Sequence, residues 1–153
     1  MSAVLSADPL LRPMLPVDLD QVISIERAIY EHPWTLGNFR DSLHAGYSCW
    51  ILECAGYLAG YGVLMLGLEE AHLLNLSVAR AWQRRGLGRY LLQHFVAIAH
   101  DADARCIFLE VRPSNEAARA LYGQAGFRDL YVRSGYYPAA HGREDAILMG
   151  LDL

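Results

Sequence analysis

The sequence predicts an α/β fold in which a mixed, mostly antiparallel central sheet carries helices on both faces. Three observations support this. Alternating apolar runs separated by Gly-containing turns fill the middle of the chain, and amphipathic helical spacing occurs on both sides of them. Two more strand-like runs follow the last helix. The expected order of elements is β-α-α-β-β-β-α-β-α-β-β.

The first elements are a short strand and two helices. The strand is predicted at Leu10–Leu15. Asp18 is placed as the N-cap of the first helix, with Gln21 three residues later as in a capping box. That helix is expected to end near Ile29, and Thr35 to cap a second, shorter helix.

Three strands joined by short turns follow the two helices, which indicates an antiparallel meander. These strands are Tyr47–Glu53, Tyr57–Leu66 and Ala71–Val78. A helix is predicted at Leu91–Ala99, a strand at Arg105–Arg112, and a helix at Ser114–Ala125, capped by Ser114 and ended by Gly126. Two final strands, Phe127–Gly135 and Asp145–Leu151, are expected to flank a Tyr-Tyr-Pro loop.

Length and composition predict one domain over residues 1–153, with residues 1–8 as a flexible N-terminal extension. The chain is 54% hydrophobic and 20% charged, with a net charge of −4. This charge argues against a nucleic-acid partner and favours a basic substrate. No apolar run approaches the ~20 residues of a membrane span, so we expect a cytoplasmic protein with no membrane partner. We also expect a monomer.

The three cysteines are irregularly spaced and are expected to be buried thiols in a reducing compartment. The six histidines are scattered along the chain. Neither set has the spacing of a metal site, so no metal is expected.

Residues 83–88, Gln-Arg-Arg-Gly-Leu-Gly, lie between a predicted strand and a predicted helix. A turn that leads into a helix presents backbone N–H groups at the positive end of the helix dipole, which suits a pyrophosphate. A P-loop is excluded because Arg89 and Tyr90 follow Gly88, and Leu91 disfavours a dinucleotide fingerprint. Taken alone, the glycines are equally compatible with an ordinary loop and solvated arginines.

Three later stretches complete an ordered set with this turn. They are Leu109–Asn115, Ala120–Tyr122 and Gly126-Phe127. Together they resemble the GNAT superfamily of acetyl-CoA-dependent N-acetyltransferases. The resemblance is closer still to the RimI-type ribosomal-protein-alanine N-acetyltransferases, and covers roughly residues 8–151. It is supported by Pro33-Trp34, Asn75–Val78, Tyr136–Pro138 and Gly142–Ala146. Ser77 departs from it, because alanine is more usual there.

The resemblance implies the GNAT fold and acetyl-CoA as co-substrate. It implies that the turn binds the pyrophosphate through backbone N–H groups, and that the strand Leu76–Val78 runs beside the pantetheine arm. The Val78 N–H would polarise the acetyl oxygen. The implied cofactor-binding residues are Leu76, Ser77, Val78, Arg84, Arg85, Gly86, Leu87, Gly88, Arg89 and Asn115.

Glu110 is the candidate general base. It shares a strand face with Cys106, Phe108 and Arg112, and apolar neighbours would disfavour its charged form, as suits a base. The residues alone favour an ion pair with a nearby arginine, such as Arg112 or Arg133. The resemblance shifts the preference to the base.

Tyr122 is the candidate acid. It lies seven residues after Asn115, two turns further along one helix face. The resemblance implies that its hydroxyl protonates the departing thiolate. The alternative is a half-buried core tyrosine.

Tyr136 and Tyr137, with Trp34, are the candidate substrate-binding residues. In related N-terminal acetyltransferases a tyrosine-bearing loop covers the peptide entrance and holds the backbone of the first residues. An ordinary aromatic hairpin tip is the alternative for the tyrosines, and a packing anchor between two helices is the alternative for Trp34.

The expected function is acetylation of the N-terminal α-amine of a protein by direct attack on the thioester. The resemblance points to the N-terminal alanine of a small-subunit ribosomal protein, recognised through a basic N-terminal peptide. Two alternatives stay open: acetylation of a lysine or small amine, and a noncatalytic CoA-binding module.

Overall fold

A computed structural model of the chain describes residues 8–153. The predicted flexible extension falls almost wholly outside the described residues. Two short 3-10 turns, Pro16–Asp18 and Arg80–Trp82, interrupt an element order that agrees with the predicted one. The elements are β1 (Leu10–Pro13), α1 (Leu19–Ile29), α2 (Leu36–His44), β2 (Ser48–Cys54), β3 (Tyr57–Leu66), β4 (Glu70–Val78), α3 (Leu87–Asp101), β5 (Cys106–Val111), α4 (Glu116–Gln124), β6 (Arg128–Pro138) and β7 (Arg143–Asp152).

The strands form one seven-stranded sheet in the order β1-β2-β3-β4-β5-β7-β6. β4 and β5 are parallel, whereas β1 with β2, β2 with β3, β5 with β7 and β6 with β7 are antiparallel. The sheet is therefore mixed and mainly antiparallel, as predicted. The register of β4 with β5 runs from Glu70 opposite Cys106 to His72 opposite Phe108, and β4 then continues to Val78.

The chain divides into two compact units. The first, here called the N-terminal unit, contains the described residues up to Leu64 together with Asn75–Leu92. The second, the C-terminal unit, contains Met65–Leu74 and Gln93–Leu153.

The N-terminal unit has an apolar core in which α1 and α2 contribute Val22 and Phe39, and β2 and β3 contribute Ile51 and Tyr61. The Phe39 ring lies 5.0 Å from that of Trp34 and 5.7 Å from that of Tyr61, centroid to centroid. These aromatic contacts fix where the segment between the two helices runs.

The helix caps of this unit agree only in part with the predictions. Thr35 caps α2 as predicted: its Oγ1 accepts from the Asn38 N–H, and its own N–H donates to Asn38 Oδ1. Asp18 precedes α1, but its side chain makes no cap hydrogen bond, so the predicted capping box was wrong. Its carboxylate instead accepts from the Leu15 N–H and the Arg12 guanidinium, and the contact with Arg12 lowers the pKa of Asp18.

In the C-terminal unit, α4 is capped by Asn115, whose Oδ1 accepts from the Ala118 N–H. The prediction of Ser114 as the cap was therefore wrong by one residue. Gly126 follows the helix with φ +101°, a conformation that favours glycine, so the predicted end of the helix is confirmed.

The predicted Tyr-Tyr-Pro loop is not a loop. β6 extends to Pro138, and its register places Tyr137 opposite Glu144 and Pro138 opposite Arg143. An irregularity between Arg133 and Tyr137 separates this pairing from the rest of β6, and there the Gly135 N–H donates to the Asp145 carboxylate. This bulge breaks the alternation that a sequence pattern detects, which is why the strand seemed to end early.

Candidate active site

The turn before α3 has the backbone of an anion site. Arg84 and Gly86 have φ +63° and +79°, so the chain reverses sharply before the helix begins at Leu87. The first helical hydrogen bond of this segment runs from the Tyr90 N–H to the Gly86 carbonyl. The N–H groups of Leu87, Gly88 and Arg89 therefore lie in the first turn, where a helix offers no backbone acceptor.

The helix begins four residues earlier than the predicted Leu91. Leu87, Gly88 and Arg89 are helical residues rather than loop residues, which places their N–H groups at the positive end of a 15-residue helix. The placement strengthens the sequence argument for an anion at this turn.

Arginine side chains surround the turn. Arg84, Arg85 and Arg89 are exposed, and the Arg85 guanidinium lies over the Trp82 ring, 4.9 Å from its centroid. Gln83 Nε2 donates to the Val78 carbonyl at 2.9 Å. The turn is thus anchored to the end of β4 and carries positive charge suited to phosphate groups.

The peptide group between Ser77 and Val78 is held against β3. A Cβ on Gly60 would lie 2.8 Å from the Ser77 carbonyl oxygen, so the two backbones approach as closely as glycine allows. In a trans peptide the N–H points opposite to the C=O. The Val78 N–H is therefore directed away from β3, and the Ala79 N–H, one residue further, bonds back to the Ala59 carbonyl.

Beneath this strand lies a buried polar network that the sequence analysis missed. Its centre is Glu26, 2% exposed, whose carboxylate accepts from the Tyr61 hydroxyl, Asn75 Nδ2 and the Trp34 N–H. Ser77, also 2% exposed, bonds to Asn75 Oδ1 and to the Tyr30 hydroxyl, each at 2.7 Å.

One sequence signal could have found this network. Leu19, Ile23 and Glu26 lie at i, i+4 and i+7 on the buried stripe of α1, so a carboxylate occupies a core position. A charge is rarely buried without partners, so such a position predicts several hydrogen-bond donors around it.

The Tyr30 hydroxyl of this network is itself buried, and burial raises the pKa of Tyr30 to about 12.

Glu110 lies on β5 in the C-terminal unit. Its side chain is 31% exposed, so the expected enclosure by apolar neighbours was wrong. Arg133 Nη2 lies 3.8 Å from Glu110 Oε1, which is the ion pair that the sequence left open as an alternative. Arg112, the other alternative partner, bonds instead to the Pro138 carbonyl and to Glu144.

The two tyrosines of β6 lie beside this carboxylate. Their rings meet edge to face at 4.9 Å; Arg133 stacks on Tyr136 at 4.5 Å, and Arg112 on Tyr137 at 4.4 Å. Burial, and secondly the negative charge of Glu110, raise the pKa of Tyr137 to about 12. The fold therefore brings Glu110, Tyr136 and Tyr137 together.

Glu144 joins the β5–α4 connection to β7. Its carboxylate accepts from the Ser114 N–H at 2.8 Å and the Ser114 hydroxyl at 2.9 Å, and it pairs with Arg112 at 3.3 Å. The bonds from Ser114, with the contact to Arg112, lower the pKa of Glu144. Because Ser114 is used here, the cap of α4 falls to Asn115.

Tyr122 and Asn115 lie on α4, as predicted. Tyr122 is 8% exposed, and its ring packs against Phe127 at 5.7 Å, so it contributes to the core of this unit. The Asn115 side chain caps the helix that carries both residues. Their assigned roles toward acetyl-CoA stay predictions.

No group of three or more His, Cys, Asp or Glu side chains in residues 8–153 is placed to hold a metal ion. None of the helices in that range is long and apolar enough to cross a membrane.

The chain belongs to the acetyltransferase (GNAT) family, whose sequence profile matches residues 19–127. The fold agrees, with four helices and a mixed seven-stranded sheet in the described residues.

Individual members of this family are similar to the chain over most of its length. The chain is 38% identical over 136 residues to the [ribosomal protein bS18]-alanine N-acetyltransferase of Escherichia coli K12, covering 89% of this chain and 92% of that protein. The crystal structure of the Escherichia coli ribosomal-protein-S18-alanine N-acetyltransferase superposes with a TM-score of 0.89 and 35% identity, covering 95% and 94% of the two chains. Arabidopsis thaliana NAA60 in complex with acetyl-CoA shares the fold, with a TM-score of 0.84 and 20% identity, covering 95% of this chain and 99% of that one.

Proposed function

We propose that this protein transfers the acetyl group of acetyl-CoA to the N-terminal alanine of ribosomal protein bS18. The observation that carries the proposal is the 38% identity to the Escherichia coli enzyme of that activity, which extends over nearly the whole of both chains. The site geometry supplies groups suited to each step of the chemistry.

The turn before α3 would bind the pyrophosphate of acetyl-CoA. The N–H groups of Leu87, Gly88 and Arg89 and the positive φ of Gly86 support this assignment. The exposed guanidinium groups of Arg84, Arg85 and Arg89 would add charge, and Asn115 would contact CoA at the start of α4.

The strand Leu76–Val78 would hold the pantetheine arm by backbone pairing. The Val78 N–H points away from β3, so it is oriented to donate to a group bound on its other side. As the amine attacks the thioester carbon, negative charge builds up on the acetyl oxygen, and this N–H would stabilise it.

Glu110 would take the proton that the amine loses on forming the new C–N bond. An α-amino group has a pKa of about 8, so a fraction is already neutral near pH 7 and the base need not be strong. Collapse of the intermediate breaks the C–S bond, and the Tyr122 hydroxyl would protonate the leaving thiolate.

The peptide would be held by Tyr136 and Tyr137, which lie beside Glu110, and by Trp34 after α1. The net charge of −4 suits a basic peptide. A monomeric, cytoplasmic enzyme with a protein substrate, and no nucleic-acid or membrane partner, completes the proposal.

Thiol release from acetyl-CoA tests the proposal with two basic peptides. One has a free N-terminal alanine and no lysine, and the other has a blocked N-terminus and an internal lysine. We expect turnover with the first alone, and at least a hundredfold loss of kcat in Glu110→Gln, the lower end of about 10²–10⁴ for a general base. Turnover with the lysine peptide alone would contradict the substrate assignment, and full activity of Glu110→Gln would remove Glu110 as the base.

A further inference from the structure

We infer that Glu26 is the centre of a positioning network that orients the Val78 N–H and holds the Trp34 segment in place. The network consists of Glu26, Tyr30, Tyr61, Asn75 and Ser77, all within the N-terminal unit. The inference rests on the proposed function, because it assigns a purpose to the strand that would hold the thioester. None of these side chains needs to touch the reacting atoms.

The direction of each hydrogen bond in the network follows from its chemistry. The Trp34 N–H and Asn75 Nδ2 can only donate, and the Tyr61 hydroxyl donates as well, so Glu26 is the acceptor in all three bonds. Because the amide nitrogen of Asn75 donates to Glu26, its oxygen is left to accept from the Ser77 hydroxyl.

The chain continues to Tyr30 in the same sense. Since the Ser77 hydroxyl donates its proton to Asn75, its oxygen accepts from the Tyr30 hydroxyl at 2.7 Å. The Leu76 carbonyl lies 3.3 Å from the same hydroxyl and shares this donor. The bonds thus run in one sense from Tyr30 through Ser77 and Asn75 to Glu26, an arrangement in which they strengthen one another.

The network holds β4 directly before the Ser77–Val78 peptide group. The side chain of Ser77 is bonded from two directions, and the carbonyl of Leu76 just before it is contacted by Tyr30. The Gly60 backbone lies close to the Ser77 carbonyl oxygen, which an added Cβ would approach to 2.8 Å. These contacts leave the Ser77–Val78 peptide group little freedom to rotate, so the direction of the Val78 N–H is fixed before any ligand arrives.

The same carboxylate also controls the segment after α1. Glu26 Oε2 accepts from the Trp34 N–H at 2.9 Å, eight residues along the chain, while Oε1 takes the two bonds on the β-strand side. The Trp34 ring packs on Phe39. One buried side chain therefore holds both the proposed thioester strand and a proposed peptide-binding residue.

A role in packing alone does not account for this arrangement. Burying a carboxylate costs free energy that an apolar side chain of similar size would not. An apolar residue at position 26 would pack α1 equally well, but would leave the Tyr61 hydroxyl, the Asn75 amide and the Trp34 N–H without this acceptor. The carboxylate fixes the orientation of the groups that donate to it. Such orientation matters most where an N–H must stabilise a developing charge.

The test compares single-hydroxyl deletions with a matched control. Tyr30→Phe and Ser77→Ala each remove one hydroxyl from the network, and Tyr57→Phe removes one from an exposed tyrosine of the same unit. For each protein we would measure kcat, KM for acetyl-CoA and for the alanine peptide, the thermal midpoint, and the Val78 amide resonance in ¹⁵N-labelled protein with and without CoA.

We expect Tyr30→Phe to lower kcat by about tenfold, with KM for acetyl-CoA changed by less than about twofold, because the strand still binds but its N–H is misaligned. Ser77→Ala should lower kcat by only about threefold, since the Tyr30 hydroxyl still donates to the Leu76 carbonyl. Both should shift the Val78 resonance, and Tyr57→Phe should change none of these quantities.

Wild-type kcat and an unmoved Val78 resonance in both network variants would overturn the inference, even if their thermal midpoints fall. Glu26→Gln keeps one acceptor and should raise KM for the peptide as well as lower kcat. If wild-type protein acetylates neither peptide, the proposed substrate fails, yet the Val78 resonance with CoA still decides whether the network positions that amide.

Discussion

The N-terminal and C-terminal units place their functional groups in opposite environments. Around Glu26 in the N-terminal unit, a carboxylate is buried and surrounded by donors. Around Glu110 in the C-terminal unit, a carboxylate is exposed and paired loosely with Arg133, at 3.8 Å. Buried hydrogen bonds fix the orientation of the groups that they join, and breaking one costs much free energy. Exposed ion pairs are screened by water and leave the side chain free to exchange partners.

This difference suits two different tasks. A donor that stabilises a developing charge must be oriented beforehand, because reorientation during the reaction costs free energy. A base that collects a proton from an incoming amine must be reachable and able to move.

Removing the buried carboxylate should have the largest effect on stability. Glu26→Ala leaves the donors of Tyr61, Asn75 and Trp34 without their acceptor and opens a cavity, so we expect the free energy of unfolding to fall by about 3 kcal/mol or more. Urea denaturation measures it. Glu110→Ala is the matched control and should change stability by less than about 0.5 kcal/mol. Equal losses in the two variants would contradict the contrast.

Crowding the thioester strand should have the next largest effect. Gly60→Ala places a Cβ 2.8 Å from the Ser77 carbonyl oxygen, so the strands must separate, at a cost of about 1–3 kcal/mol in stability. We expect kcat to fall with it. Gly123→Ala in α4, where a Cβ meets open space, should instead stabilise the protein by about 0.5–1 kcal/mol. Thermal unfolding and steady-state kinetics distinguish the two.

Lowering the pH should destabilise the protein through Asp18, a buried carboxylate of the N-terminal unit. Its pKa is lowered in the folded protein by hydrogen bonds from Arg12 and from the Leu15 N–H. A depressed carboxyl pKa contributes stability above the unfolded value near 3.8, and that contribution is lost as pH falls through the folded value.

Urea unfolding of wild type and Asp18→Asn at about pH 6 and at decreasing pH below 4 tests this linkage. The variant should be less stable at neutral pH, and the difference should shrink toward low pH. A difference that stays constant with pH would show that Asp18 contributes no linked stabilisation.

The exposed ion pair should have the smallest effect. Arg133→Gln removes the partner of Glu110, and because both side chains are partly in water the stability change should be about 0.5 kcal/mol or less. Added salt should diminish even this change. A loss above about 1.5 kcal/mol would mean that the stacking of Arg133 on Tyr136 contributes far more than the geometry indicates.

Local patterns determined most of what the sequence could predict. The element order, the meander, the Thr35 cap and the turn before α3 all follow from periodicity and from residues with specific backbone preferences. The bulge in β6 escaped because Gly135 interrupts the alternation while Asp145, from the neighbouring strand, holds the interruption together. That partner is invisible to a local pattern.

The candidate site was predicted unevenly for the same reason. Glu110, Tyr136 and Tyr137 were each singled out from the sequence, but their proximity and the exposure of Glu110 depend on strand pairing that no motif encodes. The Glu26 network joins α1, β3 and β4 through single residues far apart in sequence, and only the position of Glu26 on an apolar stripe hinted at it.

The position of the new acetyl group on the substrate is the most direct test of the proposed function. Ribosomal protein bS18 with a free N-terminus would be incubated with acetyl-CoA and this protein, and the product mapped by peptide mass spectrometry. We expect one acetyl group, on the N-terminal alanine, and none on any lysine, with the modification lost in Glu110→Gln. Acetyl groups on lysine side chains with a free N-terminal alanine, or an unmodified protein, would contradict the proposed function.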